Sequence, residues 1–261
     1  MSTSRVGATT AAAQPAPSLT RPSAIRNRGR IEVAGFGYVP HVDSPGQTAP
    51  APTVRTVPFG PLSIDVDDTV LLPRPWTYAQ SRWATELLTS LPEGDVLELC
   101  SGAGQIGLGA VHGTGRRLVM VDAAPRACEL ARVNAERVTE DVEVREGQFD
   151  AVLGEHERFV LVVADPPWVP TQRVGEHPAD PLWAIDGGID GLEVARRCVR
   201  VAAKHLEPTG RLLLQLGSRE QVELLERPFT WVGLEVVEVR EEGQEGSSGV
   251  VALVAPTTRS S

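Results

Sequence analysis

Cysteine is scarce in this chain of 261 residues. Cys100, Cys128 and Cys198 are odd in number and far apart, which excludes a disulfide framework. The five histidines, His41, His112, His156, His177 and His205, are equally scattered, and none pairs with a cysteine or an acid at metal-ligand spacing. No apolar run approaches the length of a membrane span. Residues 1–30 have no apolar core of a secretory signal, so the expected location is the cytoplasm. Lysine is nearly absent: among 25 basic residues Lys204 is the only one. With abundant Ala, Gly, Val and Pro, this is the bias of a GC-rich bacterial coding sequence. Positive charge is also outweighed, at a net −9 and a pI near 5.1. That argues against a broad phosphate-binding face and leaves room only for a local basic patch.

What is present reads as one α/β domain behind an irregular start. Residues 1–30 are Ala, Thr, Ser, Pro and Arg without periodicity, a disordered tail. Residues 31–76 are rich in Gly and Pro. Within them Leu62–Val66 and Thr69–Leu72 flank Asp67-Asp68 and predict a small β-hairpin. From 77 to 256 strands and helices alternate. Thr77 is placed to cap a helix to about Ser90, and strands are expected at Val96–Cys100, Arg117–Val121, Val142–Val144, Phe159–Ala164 and Arg211–Gln215. Helices are expected at Gln105–His112, Pro125–Val138, Leu192–His205 and Arg219–Leu225. Such alternation predicts a mostly parallel, seven-stranded Rossmann-like sheet covered on both faces. The last two strands, Gly233–Val239 and Gly249–Val254, have no helix between them and should form an antiparallel hairpin.

Three segments carry the chemistry of a cofactor site. In Val96–Gly107 a strand containing Glu98 runs into Cys100-Ser101-Gly102-Ala103-Gly104, and Gly102, Gly104 and Gly107 fit G-x-G-x-x-G spacing. Glycines let a ligand approach the backbone, and a helix N-terminus offers free N–H groups. The acid inside the strand suits a ligand with a positive charge, such as an ammonium or sulfonium. Asp122, followed by Ala123, ends the next strand, where an acid can accept two ribose hydroxyls or cap the helix that begins at Pro125. After the third strand, Gln148 and Phe149 could read an adenine edge and lie beside its face. A fourth segment, Asp165-Pro166-Pro167-Trp168, follows the apolar run Phe159–Ala164. Two prolines can neither continue a helix nor donate to a sheet ladder, so they fix a rigid turn between an acid and a flat aromatic.

Together these segments resemble the S-adenosylmethionine-dependent class I methyltransferases, and among them the release factor glutamine methyltransferases (HemK/PrmC-like). Leu71–Thr77 is similar to that group's hairpin-plus-PRPxT signature, Leu97–Gly104 to its cofactor loop and Val121–Pro125 to its ribose segment. Asp165–Pro170 stands where the group has Asn-Pro-Pro-Tyr, and Ile185–Leu192 matches its loop before the next helix. The resemblance implies S-adenosylmethionine as cofactor, with Arg74 and Thr77 near its methionine end. Three departures stand out. The group's helical N-terminal domain is not seen, Trp76 and Tyr78 replace glutamates, and Asp165 and Trp168 replace Asn and Tyr. Asp-Pro-Pro-Trp is similar to motifs of enzymes that methylate exocyclic amino groups of nucleic acid bases.

The expected reaction is in-line transfer of a methyl to nitrogen. Asp165 and the Pro166 carbonyl would accept the acceptor's N–H bonds and aim its lone pair, and Trp168 would stack on the planar group. An aspartate, which only accepts hydrogen bonds, should favour an amine, guanidine or base amino group over an amide. The expected acceptor is an amide, amine or guanidine nitrogen of a small molecule or a protein side chain. The alternatives are a nucleic-acid amino methyltransferase and a cofactor-binding protein without catalysis. Asp186 and Asp190, in a Gly-rich loop, either close over the acceptor or are turn residues.

Overall fold

Two strands buried along their whole length lie side by side within the sheet. In the computed structural model, which describes residues 52–74, 77–138, 140–244 and 247–257, β3 (Val96–Leu99) and β6 (Phe159–Ala164) are buried at every position. That pattern marks parallel strands covered on both faces. The tail, residues 31–51 of the irregular segment, Pro75 and Trp76 lie outside the described residues.

In chain order the elements are β1 (Arg55–Phe59), β2 (Leu62–Val66), α1 (Thr77–Leu88), β3, α2 (Gln105–Val111), β4 (Leu118–Asp122) and α3 (Pro125–Ala135). There follow β5 (Val142–Glu146), α4 (Phe149–Val152), β6, a 3-10 turn at Thr171–Glu176, α5 (Leu182–Ile185) and α6 (Glu193–His205). The chain closes with β7 (Leu206–Leu216), α7 (Arg219–Leu224), α8 (Glu226–Trp231), β8 (Leu234–Gln244) and β9 (Ser247–Pro256). Seven strands form one sheet in the order β5-β4-β3-β6-β7-β9-β8. The first five are parallel, and β9 runs antiparallel between β7 and β8.

One apolar core lies beneath α1, α2, α3 and the β1–β2 hairpin. The other lies beneath α4, α6 and α8. The helices follow their apolar stripes. In α6 the buried residues Ala195, Cys198, Val199, Val201, Ala202 and His205 recur at helical spacing.

Four expectations are corrected. The hairpin pairs β1 with β2, Phe59 opposite Leu62, rather than 62–66 with 69–72. Gly60 takes a positive φ of 55° and Pro61 holds a negative one, which makes a two-residue turn. Asp67 instead accepts from the backbone N–H and the hydroxyl of Thr69, at 2.9 and 2.6 Å, and closes a turn of its own. Cys100 leaves the strand, because its φ is +58°. Phe149–Val152, expected as loop, is a short helix because Phe149 is buried in the core. The Gly/Ser-rich segment after Val239 continues as β8 and β9, with Gln244 opposite Ser247; ladder pairing overrides its turn-forming composition.

Candidate functional site

At the ends of β3 and β6, Leu99 pairs with Ala164, so the next residues of the two strands, Cys100 and Asp165, emerge at the same edge. From β3 the chain builds β4 and β5 on one side and then crosses to build β6 on the other. This reversal of strand order is where open α/β sheets bind ligands.

The β3–α2 loop is fixed from several sides. Ser101 N–H donates to the Val121 carbonyl at 3.2 Å and Gly104 N–H to that of Ser101 at 2.8 Å. Gly102 N–H donates to Asp122 Oδ2 at 2.8 Å. Cys100 adopts a left-handed φ without being glycine, a conformation that costs on the order of 1 kcal/mol. Its thiol meets that of Cys198, and this contact together with burial pushes it well above the usual thiol range. Gly102 is also left-handed, at φ 53°, and a β-carbon there would meet nothing within 4 Å. The loop therefore has open space over its backbone. On the loop and the start of α2 the buried Ser101 Oγ and Gln105 Oε1, and beneath α2 Glu98 Oε2, have no hydrogen-bond partner among the described residues. Orphaned polar atoms around an open glycine loop fit a polar ligand, because such atoms are costly to bury unpaired.

Asp122 is 7% exposed and its carboxylate braces the loop. Besides Gly102, it accepts from Ala124 N–H through Oδ1 at 2.9 Å. The predicted helix cap is corrected: Ala124 is the N-cap residue of α3 and no side chain caps it. Each carboxylate oxygen keeps a second lone pair for a hydroxyl. Burial raises Asp122 above the ordinary carboxylate range. Glu98 is 2% exposed and its carboxyl lies under the first turn of α2, where a β-carbon on Gly107 would overlap Oε2. Burial pushes Glu98 up to about 8; the Gly107 backbone opposes the shift, and Asp122 and Asp165 add to it. A positive charge brought close to this carboxyl would favour its ionised form.

Across the seam, Asp165 is half-buried. Burial pushes it up to about 7, and the positive charge of Arg74 pulls the other way. Arg74 donates to Asp180 at 2.5 Å. The Thr77 hydroxyl donates back to the Arg74 carbonyl at 2.8 Å, so it braces the PRPxT segment rather than accepting from the helix. The turn after Asp165 is clamped against 185–191. Val169 N–H reaches the Ile185 carbonyl and Gly187 N–H the Val169 carbonyl, at 2.9 and 2.8 Å. The Trp168 carbonyl accepts from Gln221 Nε2 at 2.8 Å, and the edge of its indole rests on Gly217. Asp186 accepts from Thr171 Oγ1 and Gly188 N–H, and Asp190 from Leu192 N–H and Arg196. Both are turn residues.

Gln148 and Phe149 sit at the end of β5, but both are tied to α6. Gln148 Oε1 accepts from Arg197 Nη2 at 2.7 Å, and the Arg197 guanidinium lies 4.8 Å from the centre of the Phe149 ring. Phe149 is 6% exposed.

Three polar residues at the site were not singled out from the sequence. Gln105 opens α2 with its Oε1 unpaired. Gln80 Nε2 donates to the carbonyls of Ala164 and Leu213, at 3.1 and 3.2 Å, just behind Asp165. Asn134 Nδ2 holds the Asp65 and Ala103 carbonyls, at 2.9 and 3.0 Å, and ties the hairpin to the cofactor-like loop. For Gln80 and Asn134 a signal existed: each is a polar residue within the apolar stripe of its helix.

The parallel sheet with its terminal antiparallel hairpin, the glycine loop after β3 and the acid ending β4 define a class I methyltransferase fold. The Methyltransferase small domain family matches residues 80–182. Among solved structures, the hMettl16 catalytic domain in complex with the MAT2A 3'UTR hairpin 6 superposes with a TM-score of 0.61 at 18% identity, over 77% of each chain. This likeness concerns the fold alone. The release factor glutamine methyltransferase of Gloeobacter violaceus is 30% identical over 71% of this chain and 72% of its own length. That of Mycolicibacterium smegmatis is 35% identical over 62% of this chain, and the ribosomal protein uL3 glutamine methyltransferase of Bradyrhizobium diazoefficiens 33% over 65%. The chain spans 59% of the length of each of these last two. It belongs to the HemK/PrmC-like methyltransferase family.

Proposed function

We propose that this chain transfers the methyl group of S-adenosylmethionine to a side-chain nitrogen of a protein, the amide of a glutamine. The observation that carries the reading is the Asp165-Pro166-Pro167-Trp168 turn, which emerges beside the β3–α2 loop with Asp165 next to Cys100. The names of its relatives, which act on a release factor or on ribosomal protein uL3, support a protein acceptor.

S-adenosylmethionine supplies an electrophilic methyl on a sulfonium. The residues that would hold it are Ser101, Gly102, Gly104 and Gln105 of the loop, Asp122 and Ala123 at its ribose, and Gln148 and Phe149 towards its base. Arg74 and Thr77 would border its methionine end. Glu98 supports the loop from below. Asp165 Oδ and the Pro166 carbonyl then accept the two N–H bonds of the acceptor, which draws its nitrogen out of conjugation and directs the lone pair. As positive charge grows on that nitrogen, the carboxylate stabilises it. Trp168, held by Gly217 and Gln221, fixes the planar group. The carboxamide is an acceptable partner because its N–H groups need only acceptors, which a carboxylate and a carbonyl provide.

Transfer of labelled methyl to otherwise identical loop peptides bearing glutamine, lysine or arginine tests the reading. Label on the glutamine peptide is expected. Label on the lysine or arginine peptide alone would overturn the amide assignment, and label only in a nucleic acid fraction would overturn the protein acceptor.

A further inference from the structure

The outer face of α6 carries Arg197, Arg200 and Lys204 at i, i+3 and i+7, one stripe of a helix. They border a cavity of about 160 Å³ between α4 and α6, against Phe149 and His205. Arg197 is anchored, donating to Gln148 Oε1 at 2.7 Å and to Asp150 Oδ1 at 3.2 Å. Among the described residues Asp150 is the only acid lining the cavity, and Arg197 already engages it. Arg200 and Lys204 are exposed and form no ion pair among the described residues. His205 closes the cavity from below, with Nδ1 at 3.0 Å from the Glu157 carbonyl. Three cations thus converge on one concavity in a chain whose net charge is −9, and one of the three is the only lysine.

We infer that this cavity is a binding site for a phosphate group, presented either by a free mononucleotide or by the backbone of RNA. A phosphate has more acceptor oxygens than a carboxylate, and it can take up an arginine fork, a second guanidinium and an ammonium at once. The half-open cavity admits the group and leaves the rest of its carrier outside. The cavity shares Phe149 with the proposed cofactor site, and Arg197 is anchored on Gln148; the binding test uses neither cofactor nor methyl acceptor, so its failure is distinguishable from failure of the proposed function.

The test is calorimetric titration of the full chain at low ionic strength with inorganic phosphate, uridine 5′-monophosphate and a short oligouridylate. Uridine avoids any site that accepts adenosine. Two double variants are compared, Arg200→Ala with Lys204→Ala, and Arg82→Ala with Arg227→Ala. The second pair are exposed arginines elsewhere on the surface. The first variant is expected to weaken binding by about tenfold or more, and the second to leave it unchanged. Binding of phosphate and the mononucleotide as tight as that of the oligonucleotide identifies a free phosphate ligand. Tighter, salt-sensitive binding of the oligonucleotide identifies an RNA backbone. If none of the three probes binds, or if both double variants weaken binding equally, the inference is wrong.

Discussion

The carboxyl of Glu98 in β3 occupies the space that a β-carbon on residue 107 of α2 would need. The third glycine of the loop signature is therefore a packing glycine, which lets the helix close down on a buried acid. Alanine normally stabilises a helix interior by about 1 kcal/mol over glycine. Here Gly107→Ala should instead destabilise the protein by about 1–3 kcal/mol, as overpacking does. In a Glu98→Ala background most of that cost should vanish. Urea unfolding of the four members of the cycle measures the coupling, and additive effects would refute the contact.

Asp165, held up to about 7, should set the acid limb of activity. The proposed role needs the carboxylate, so kcat/KM for the cofactor should rise with pH and level off above about 7; this ratio reports groups of the free protein. Asp165→Asn should lose that limb. A limb of the same midpoint in the variant would assign it to another group.

Glu98 makes a stability prediction with a defined sign. Its folded value of about 8 lies above that of an unfolded carboxylate. The folded state therefore holds the proton more tightly, and this favours folding most at low pH. The contribution is complete below the ordinary carboxylate value and is lost as pH rises towards 8. Without cofactor, the thermal midpoint should decline from pH 5 to 8, in roughly the window between the two values. Glu98→Gln, which stays neutral, should flatten the decline in part, since Asp165 titrates in the same direction. An unchanged slope would show that Glu98 is ionised throughout.

Asn134 is 1% exposed and bridges the hairpin and the loop. Asn134→Ala leaves the Asp65 and Ala103 carbonyls without this donor and should cost about 1–3 kcal/mol in stability. Because Ala103 lies in the loop, cofactor affinity should fall while the rate at saturating cofactor changes little. Equilibrium dialysis and single-turnover transfer separate the two effects. Loss of rate with affinity intact would place Asn134 elsewhere in the mechanism.

Much of the framework was legible in advance. Phe159–Ala164 was bounded correctly because a six-residue apolar run followed by two prolines has one reading. The long helices followed from their 3.6-residue periodicity, with ends displaced by up to three residues. The hairpin register was not legible. Asp67-Asp68 looks like a turn, and only packing against α3 shows that its first acid is buried and bonded to Arg126 at 2.8 Å. Nor was it legible that Gln148 and Phe149 are both engaged by Arg197, which is 49 residues from Gln148. No local pattern encodes a contact of that range.

The sequence by itself determined the class of fold and the order of the chemical segments: a glycine loop after the first core strand, an acid after the second and an acid-Pro-Pro-Trp turn after the fourth. Periodicity, turn chemistry and strand-end motifs are local properties, and a linear chain carries them in full. The tertiary structure decided which of these residues meet. The crossover between β3 and β6 sets Cys100 beside Asp165. The descent of α2 buries Glu98 and raises its carboxyl above the ordinary range, and the packing of α4 on α6 forms the cavity that the α6 cations border. These outcomes depend on distance and dielectric environment, which exist only once the sheet has formed.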